Sequence, residues 1–115
     1  METGGGGVSI ETLEKQVIEW ANERDLYRQS TPRSRWDKFI EETDELMEAY
    51  FDIHDDPTAE LEDVRLETGD VLVTLINLLH PLGLDLGTCL SAAYQKIKDR
   101  KGKMIDGTFV KDVEQ

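Results

Sequence analysis

The chain has 115 residues and only one cysteine, Cys89. A lone thiol excludes an intrachain disulfide framework and a cysteine-built zinc site. Basic residues are also scarce. Thirteen Lys+Arg stand against 25 Asp+Glu, giving a formal net charge of −12, whereas nonspecific nucleic-acid binding needs a basic surface. Long apolar runs are missing too. The longest, Val71 to Leu79, is interrupted by Thr74 and Asn77, so no membrane span is expected. The N-terminus shows neither a basic start nor an apolar segment, so no secretory signal is expected. Residues 1–7 are expected to be a flexible leader, followed by one domain over residues 8–115. No internal repeat and no convincing strand is present. The expectation is a cytoplasmic protein that binds neither membranes nor nucleic acid.

Helical periodicity is what the chain does have. Ser9 is a candidate N-cap for a first helix reaching Tyr27, with Ile10, Leu13, Val17, Trp20 and Ala21 at helical spacing. Ser30-Thr31-Pro32 opens a second, a cap followed by a first-turn proline. Its apolar residues Trp36, Phe39, Ile40, Leu46, Met47, Tyr50 and Phe51 fall on one face up to about Asp52. Asp56-Pro57 is expected to open a third helix ending near Leu79, before Pro81 and Gly83. A fourth is expected from Asp85 to about Lys101, stopped by Gly102. Asp106-Gly107 between short apolar runs is compatible with a hairpin or an ordered loop. The predicted class is all-α, a four-helix bundle.

Charge and apolar surface conflict on the third helix. At 100° per residue, Leu61, Val64, Val71, Leu72, Leu75 and Leu79 share one face, while Leu66, Val73 and Ile76 lie opposite. Glu67 and Asp70 fall in the seam between, with Asp63, Thr74 and Asn77. Two apolar faces predict contact with two layers, the helix's own chain and another subunit. A carboxylate at depth in such a seam must be protonated, paired or bound to a metal. The second helix carries a matching pair, Glu42 and Glu45, at i and i+3, the same relation as Glu67 and Asp70. Antiparallel packing of the two helices would bring the four carboxylates together, a hard oxygen donor set suited to Mg²⁺ or Mn²⁺. Alone, the run Glu41-Glu42-Thr43-Asp44-Glu45 would read as a solvated acidic face, and Glu45 lies almost opposite its helix's apolar stripe.

The cations are uneven. Lys96, Lys98, Arg100, Lys101 and Lys103 occupy five of eight consecutive positions. They can neutralise a polyphosphate or simply favour a helix C-terminus. Lys38, one turn before Glu42, can contact a phosphate or form an i, i+4 ion pair.

These residues resemble the MazG-like family of all-α nucleoside triphosphate pyrophosphohydrolases. Glu41-Glu42-Thr43-Asp44-Glu45 and Glu67-Thr68-Gly69-Asp70 are similar to the family's paired acidic motifs, with Lys38 in the lead-in. The run Tyr94 to Gly102 is similar to its basic helix and exit. The likeness spans roughly residues 20 to 111 and is greatest to short, single-domain, phage-like versions. Asp44 departs from it, standing where many relatives carry a small residue.

The resemblance implies Mg²⁺-dependent hydrolysis between the α- and β-phosphates of a nucleoside triphosphate, giving the monophosphate and pyrophosphate. It makes Glu42, Glu45, Glu67 and Asp70 the metal ligands and Glu41 or Glu42 the residue that activates water. Lys38, Lys96, Lys98, Arg100 and Lys101 would bind phosphate. Trp20, Trp36 and Tyr94 can stack on a base, although Trp20 and Trp36 occupy stripe positions that favour a core role. Asn77 can contact base or sugar. His54 and His80 belong to no Glu-x-x-His signature of di-iron bundles. A homodimer or homotetramer is expected. The alternatives are a non-catalytic acidic helical interaction module and a related enzyme acting on dUTP, dCTP or phosphoribosyl-ATP.

Overall fold

The structure, a computed structural model, describes residues 8–113; the expected leader at residues 1–7 lies outside them. The protein is mostly helical. Its elements run α1 (Ile10–Glu23), α2 (Leu26–Gln29), α3 (Pro32–Asp55), α4 (Leu61–Leu79), a 3₁₀ turn (His80–Leu82), α5 (Leu86–Ile97), β1 (Gly102–Ile105) and β2 (Thr108–Lys111).

Capping chemistry sets most helix starts. Ser9 Oγ accepts the Thr12 N–H at 3.0 Å. Thr31 and Ser34 form a reciprocal capping box with Pro32 inside the first turn. Asp85 accepts the Thr88 N–H at 2.8 Å.

Four expected boundaries move. The first helix ends at Glu23 rather than Tyr27, because Asp25 adopts a left-handed conformation (φ 59°) and its carboxylate gathers Arg28 and Gln29. The chain then makes the single turn of α2. The second helix runs to Asp55, three residues beyond the expected end. Asp56-Pro57 opens no helix. The Asp56 carboxylate instead accepts the Thr58 N–H and hydroxyl at 2.9 and 2.8 Å, a side-chain turn that competes with a helix N-terminus, so α4 starts at Leu61. Finally, α5 stops at Ile97, four residues short of Lys101. The like charges of Lys96 and Arg100 at i, i+4 disfavour further helix, and the Lys101 carbonyl is taken by the Asp112 N–H at 2.8 Å.

The Asp106-Gly107 signal resolves as a hairpin. β1 and β2 pair antiparallel from Gly102↔Lys111 to Ile105↔Thr108. Asp106 and Gly107 both have positive φ, 51° and 82°, the geometry of a two-residue type I′ turn. Gly102 is required by close approach, since a Cβ there would lie 2.3 Å from the Val110 carbonyl oxygen.

The main packing unit is the α3–α4 pair, joined by residues 56–60, with α1 laid against α4. Phe39, Leu46, Ala49 and Ile53 of α3 are half-buried, while Trp36, Ile40, Met47, Tyr50 and Phe51 are exposed. The apolar stripe of α3 is thus wider than one helix can cover. On α4, Ile76 is buried, and Val73, which shares a cleft with α1, is half-buried, leaving only Leu66 of the second apolar face exposed. That face is therefore covered largely by the chain itself. Ala21 and Ile76 are the only buried apolar residues among those described. No described helix is by itself long and apolar enough to cross a membrane.

Candidate metal centre

The carboxylates of α3 and α4 converge. Glu41, Glu42 and Glu45 form one group, and Glu42, Glu67 and Asp70 another; within each group one oxygen per residue lies within 4.8 Å of the others. Glu42 belongs to both. It is also the only buried residue of α3, at 8% exposure. Its position three residues after Phe39 and four before Leu46 turns it into the α3–α4 contact.

Glu42 Oε1 and Glu67 Oε1 are shielded from solvent and have no hydrogen-bond partner. A buried, unpartnered carboxylate oxygen is costly. The other Glu42 oxygen is 3.3 Å from Lys38 Nζ, which lies at the same distance from Glu41. Both carboxylates hold the Lys38 ammonium's pKa above its ordinary value. Lys38 thus forms the expected i, i+4 pair and also borders the site.

The seam is graded in depth. Thr74 and Asn77 are buried, Glu67 is half-buried, and Asp70 and Asp63 are exposed. The expectation that the whole seam lies at depth therefore fails towards its N-terminal end, at Asp63 and Asp70. Glu45 is exposed, as its angular position suggested, yet it leans toward Glu67. The charge of Glu42 raises its pKa most, followed by partial desolvation and the charges of Glu67 and Glu41, with a Glu67 hydrogen bond adding the least. Glu41 and Asp44 are exposed on the outer side of α3. The donor set is all oxygen and carries more negative charge than Lys38 offsets. These acidic groups can hold a metal ion.

Three clefts adjoin the carboxylates. One, between the end of α3 and the start of α4, is lined by Glu45, Glu48, Asp52, Asp63 and Glu67. Another, of about 190 Å³, reaches the site through Lys38 and is lined by Leu26, Ser30, Ser34, Arg35, Lys38, Thr74 and Asn77. Tyr27 donates its hydroxyl to Asn77 Oδ1 at 2.7 Å, and Arg35 donates to Ser30 Oγ at 2.7 Å. The sequence singled out Asn77 as a candidate contact and placed Thr74 in the seam without a role, but gave no role to Tyr27 or Arg35. Arg35 was legible as a cation one turn before Lys38. The third cleft sets Trp20 of α1 beside Asp70 and Val73.

Trp20 and Trp36 are 46% and 47% exposed, so the core role their stripe positions favoured is not realised. Trp20 stacks under Arg24, with Cζ 4.4 Å from the ring centroid, and Trp36 contacts Phe39. Tyr94 is exposed on α5. Lys96, Lys98, Arg100 and Lys101 are exposed as well. Lys96, Arg100 and Lys101 line a cleft with Lys111 and Asp112 that includes none of the converging carboxylates. Within one chain the basic and acidic clusters are separate surfaces.

A further buried carboxylate, Glu14 of α1, was not singled out from sequence. Both of its oxygens accept the Leu86 N–H, at 3.3 and 3.1 Å, tying α1 to the first turn of α5. An acid at a stripe position, four residues after Ile10 and seven before Ala21, was the available signal.

The chain matches no protein-family model, and no curated protein or solved structure is significantly similar to it.

Proposed function

We propose that the protein is a Mg²⁺-dependent nucleoside triphosphate pyrophosphohydrolase of the MazG-like type, cleaving between the α- and β-phosphates. The observation that carries this reading is Glu42, a buried carboxylate with one unpartnered oxygen, shared by two carboxylate groups from consecutive helices. Glu42, Glu45, Glu67 and Asp70 would hold the ion. When bound, it supplies charge neutralisation at the phosphate oxygens.

The chain's own residues have distinct tasks in this reading. Glu41, exposed at the rim, accepts a proton from the attacking water; its pairing with Lys38 at 3.3 Å fixes its orientation. Lys38 also faces the small cleft and steadies a phosphate oxygen entering from that side. Asn77, held by Tyr27, offers its amide to the sugar or base. Mn²⁺ suits the same oxygen donors.

The test is pyrophosphate release from a panel of canonical and modified triphosphates. Activity should require Mg²⁺ and fall at least about a thousandfold in Asp70→Asn, with the fold intact by circular dichroism. Inactivity of the unmodified protein towards the whole panel with metal present would overturn the reading. The alternative, a non-catalytic helical interaction module, draws support from the large exposed apolar surface. It expects neither metal-dependent nor triphosphate-dependent stabilisation.

A further inference from the structure

Every hydroxyl that lines the small cleft beside Lys38 has already committed its proton. Ser30 Oγ donates to the Leu26 carbonyl at 2.6 Å, Ser34 Oγ to the Thr31 carbonyl at 3.2 Å and Thr74 Oγ1 to the Val71 carbonyl at 2.8 Å. A hydroxyl has a single proton, so these side chains offer a ligand lone pairs only. The Lys38 ammonium is engaged by the Glu41 and Glu42 carboxylates, at 3.3 Å from each. Asn77 and Arg35 are the lining residues that keep unused N–H donors.

Asn77 is 7% exposed. Its Oδ1 accepts the Tyr27 hydroxyl at 2.7 Å, and its Nδ2 has no partner among the described residues. The phenol fixes which way the amide points. Desolvation raises the Tyr27 pKa despite the nearby Arg35 charge, so the hydroxyl keeps its proton, and Oδ1 is the acceptor that takes it. Turning the amide over would set donor against donor and leave the phenol proton unpaired, at a cost. The NH₂ end of Asn77 is therefore the one left for the cleft. Arg35 is half-buried. Its Nη1 donates to Ser30 Oγ at 2.7 Å and to the Tyr27 carbonyl at 3.4 Å, leaving Nε and Nη2 without a partner among the described residues. It belongs to none of the ion pairs found there, although the chain carries 25 acids.

The cleft thus presents N–H donors from two elements, with the Thr74 oxygen one helical turn before Asn77 as an acceptor. Its volume of about 190 Å³ is below the roughly 300–1,000 Å³ of sites that enclose a drug-sized ligand. It takes one ring, with Leu26 as an apolar wall. The nucleobase ring that answers donor, acceptor and donor is a dioxopyrimidine, because the edge of uracil or thymine reads carbonyl, N–H, carbonyl. Cytosine places an amino group where one of those carbonyls stands, so donor would meet donor in a buried setting. Adenine repeats that mismatch and adds a second ring. Guanine adds the second ring and an amino group beside its N–H.

We propose that this cleft is a base pocket selective for uracil or thymine, with Tyr27 setting the selectivity by holding the Asn77 amide NH₂-inward. The proposal rests on the pyrophosphohydrolase reading for the nucleotide and adds the base. Asn77 and Arg35 donate to the two ring carbonyls, and Thr74 accepts the ring N–H. Tyr27 touches no ligand and is a positioning residue.

Calorimetric titration with the α,β-imido triphosphates of uridine, thymidine and cytidine in Mg²⁺ reads the choice without hydrolysis. The uridine or thymidine analogue should bind at least about tenfold more tightly than the cytidine analogue. Asn77→Asp keeps an oxygen for the Tyr27 hydroxyl and turns the inward group from donor to acceptor, so the preference should reverse in favour of cytidine. Tyr27→Phe frees the amide to rotate, and the ratio should fall below about threefold while Mg²⁺ affinity without nucleotide is unchanged; a merely structural role would not move that ratio. If Asn77→Asp loses helicity, Arg35→Met, which removes the other donor, should give the same loss of preference as Tyr27→Phe. Equal binding of the uridine and cytidine analogues, tighter binding of a purine analogue, a preference indifferent to these variants, or no binding of any analogue would each overturn the proposal. A protein that discriminates the analogues but releases no pyrophosphate from uridine or thymidine triphosphate keeps the pocket and loses the reaction. One that releases pyrophosphate equally from uridine and cytidine triphosphates keeps the reaction and loses the pocket.

Discussion

Replacing Glu67 by glutamine should change the protein's stability in opposite directions with and without a divalent ion. In the metal-free protein the Glu67 carboxylate has oxygens of Glu42 and Asp70 within 4.8 Å. At that distance each like-charged pair repels by about 3 kcal/mol at an effective dielectric of 20, and by about 1 kcal/mol in bulk water. Asp70 is exposed, so that pair lies near the water limit. Lys38 compensates Glu42 from 3.3 Å. Screening reduces the sum further, and a net gain of about 1–2 kcal/mol is expected for Glu67→Gln in chelator. The amide also provides a donor where Glu67 Oε1 has no partner. With divalent ion at a hundred times its dissociation constant, the unmodified protein gains about 2.7 kcal/mol, most of which the variant forgoes. Thermal melting at neutral pH in chelator and then in excess Mg²⁺ reads both signs, at roughly 4 °C per kcal/mol for a domain of this size. A variant less stable than the unmodified chain in chelator, or equally stabilised by Mg²⁺, would refute the repulsion argument.

Two further outcomes are expected. Glu14→Ala removes a charged acceptor from the Leu86 N–H and should cost about 2 kcal/mol, read as a lower urea midpoint and faster amide exchange at Leu86; unchanged exchange there would show that Glu14 does not pin α5. The Thr88 N–H and hydroxyl hold Asp85 below its ordinary pKa of 3.8, so its capping contribution is complete above that value and is lost as pH falls through the lower folded value. Asp85→Asn should therefore flatten the acid limb of the stability profile below about pH 4, and an unaltered limb would count against the cap.

The α3–α4 pairing and the meeting of Glu42 with Glu67 and Asp70 were legible because they follow from helical period and i, i+3 spacing. Those rules are local, and the only long-range step was that a short connection folds α4 back along α3. The errors have local causes as well. Asp56-Pro57 carries the signal of a helix start, but the same carboxylate closes a turn on Thr58 at 2.9 Å, and a sequence window does not rank the two. Asp25 in a left-handed conformation ends α1 in the middle of a helical pattern, because aspartate tolerates that conformation better than most residues. Glu14 was invisible as a cap because its partner lies 72 residues away.

The depth of the seam was misjudged for a different reason, which joins the site to the rest of the molecule. Periodicity says that two sides of a helix are apolar; it does not say how far along the helix a neighbour extends. α1 packs against α4 and shares a cleft with Val73 and Asp70, of which Val73 is half-buried and Asp70 stays exposed at the edge. The carboxylates thus lie at the boundary between the packed and the bare part of α4, where a cation can enter and water is only partly excluded. That boundary also explains why Trp36 and Trp20, both on apolar stripes, remain at the surface. The apolar stripes of α1 and α3 are wider than the neighbours within this chain cover. An acidic groove with unpartnered carboxylate oxygens and a basic arm with unpaired cations are complementary deficits, and folding one chain satisfies neither. A divalent ion held by Glu42, Glu67 and Asp70 would answer the first.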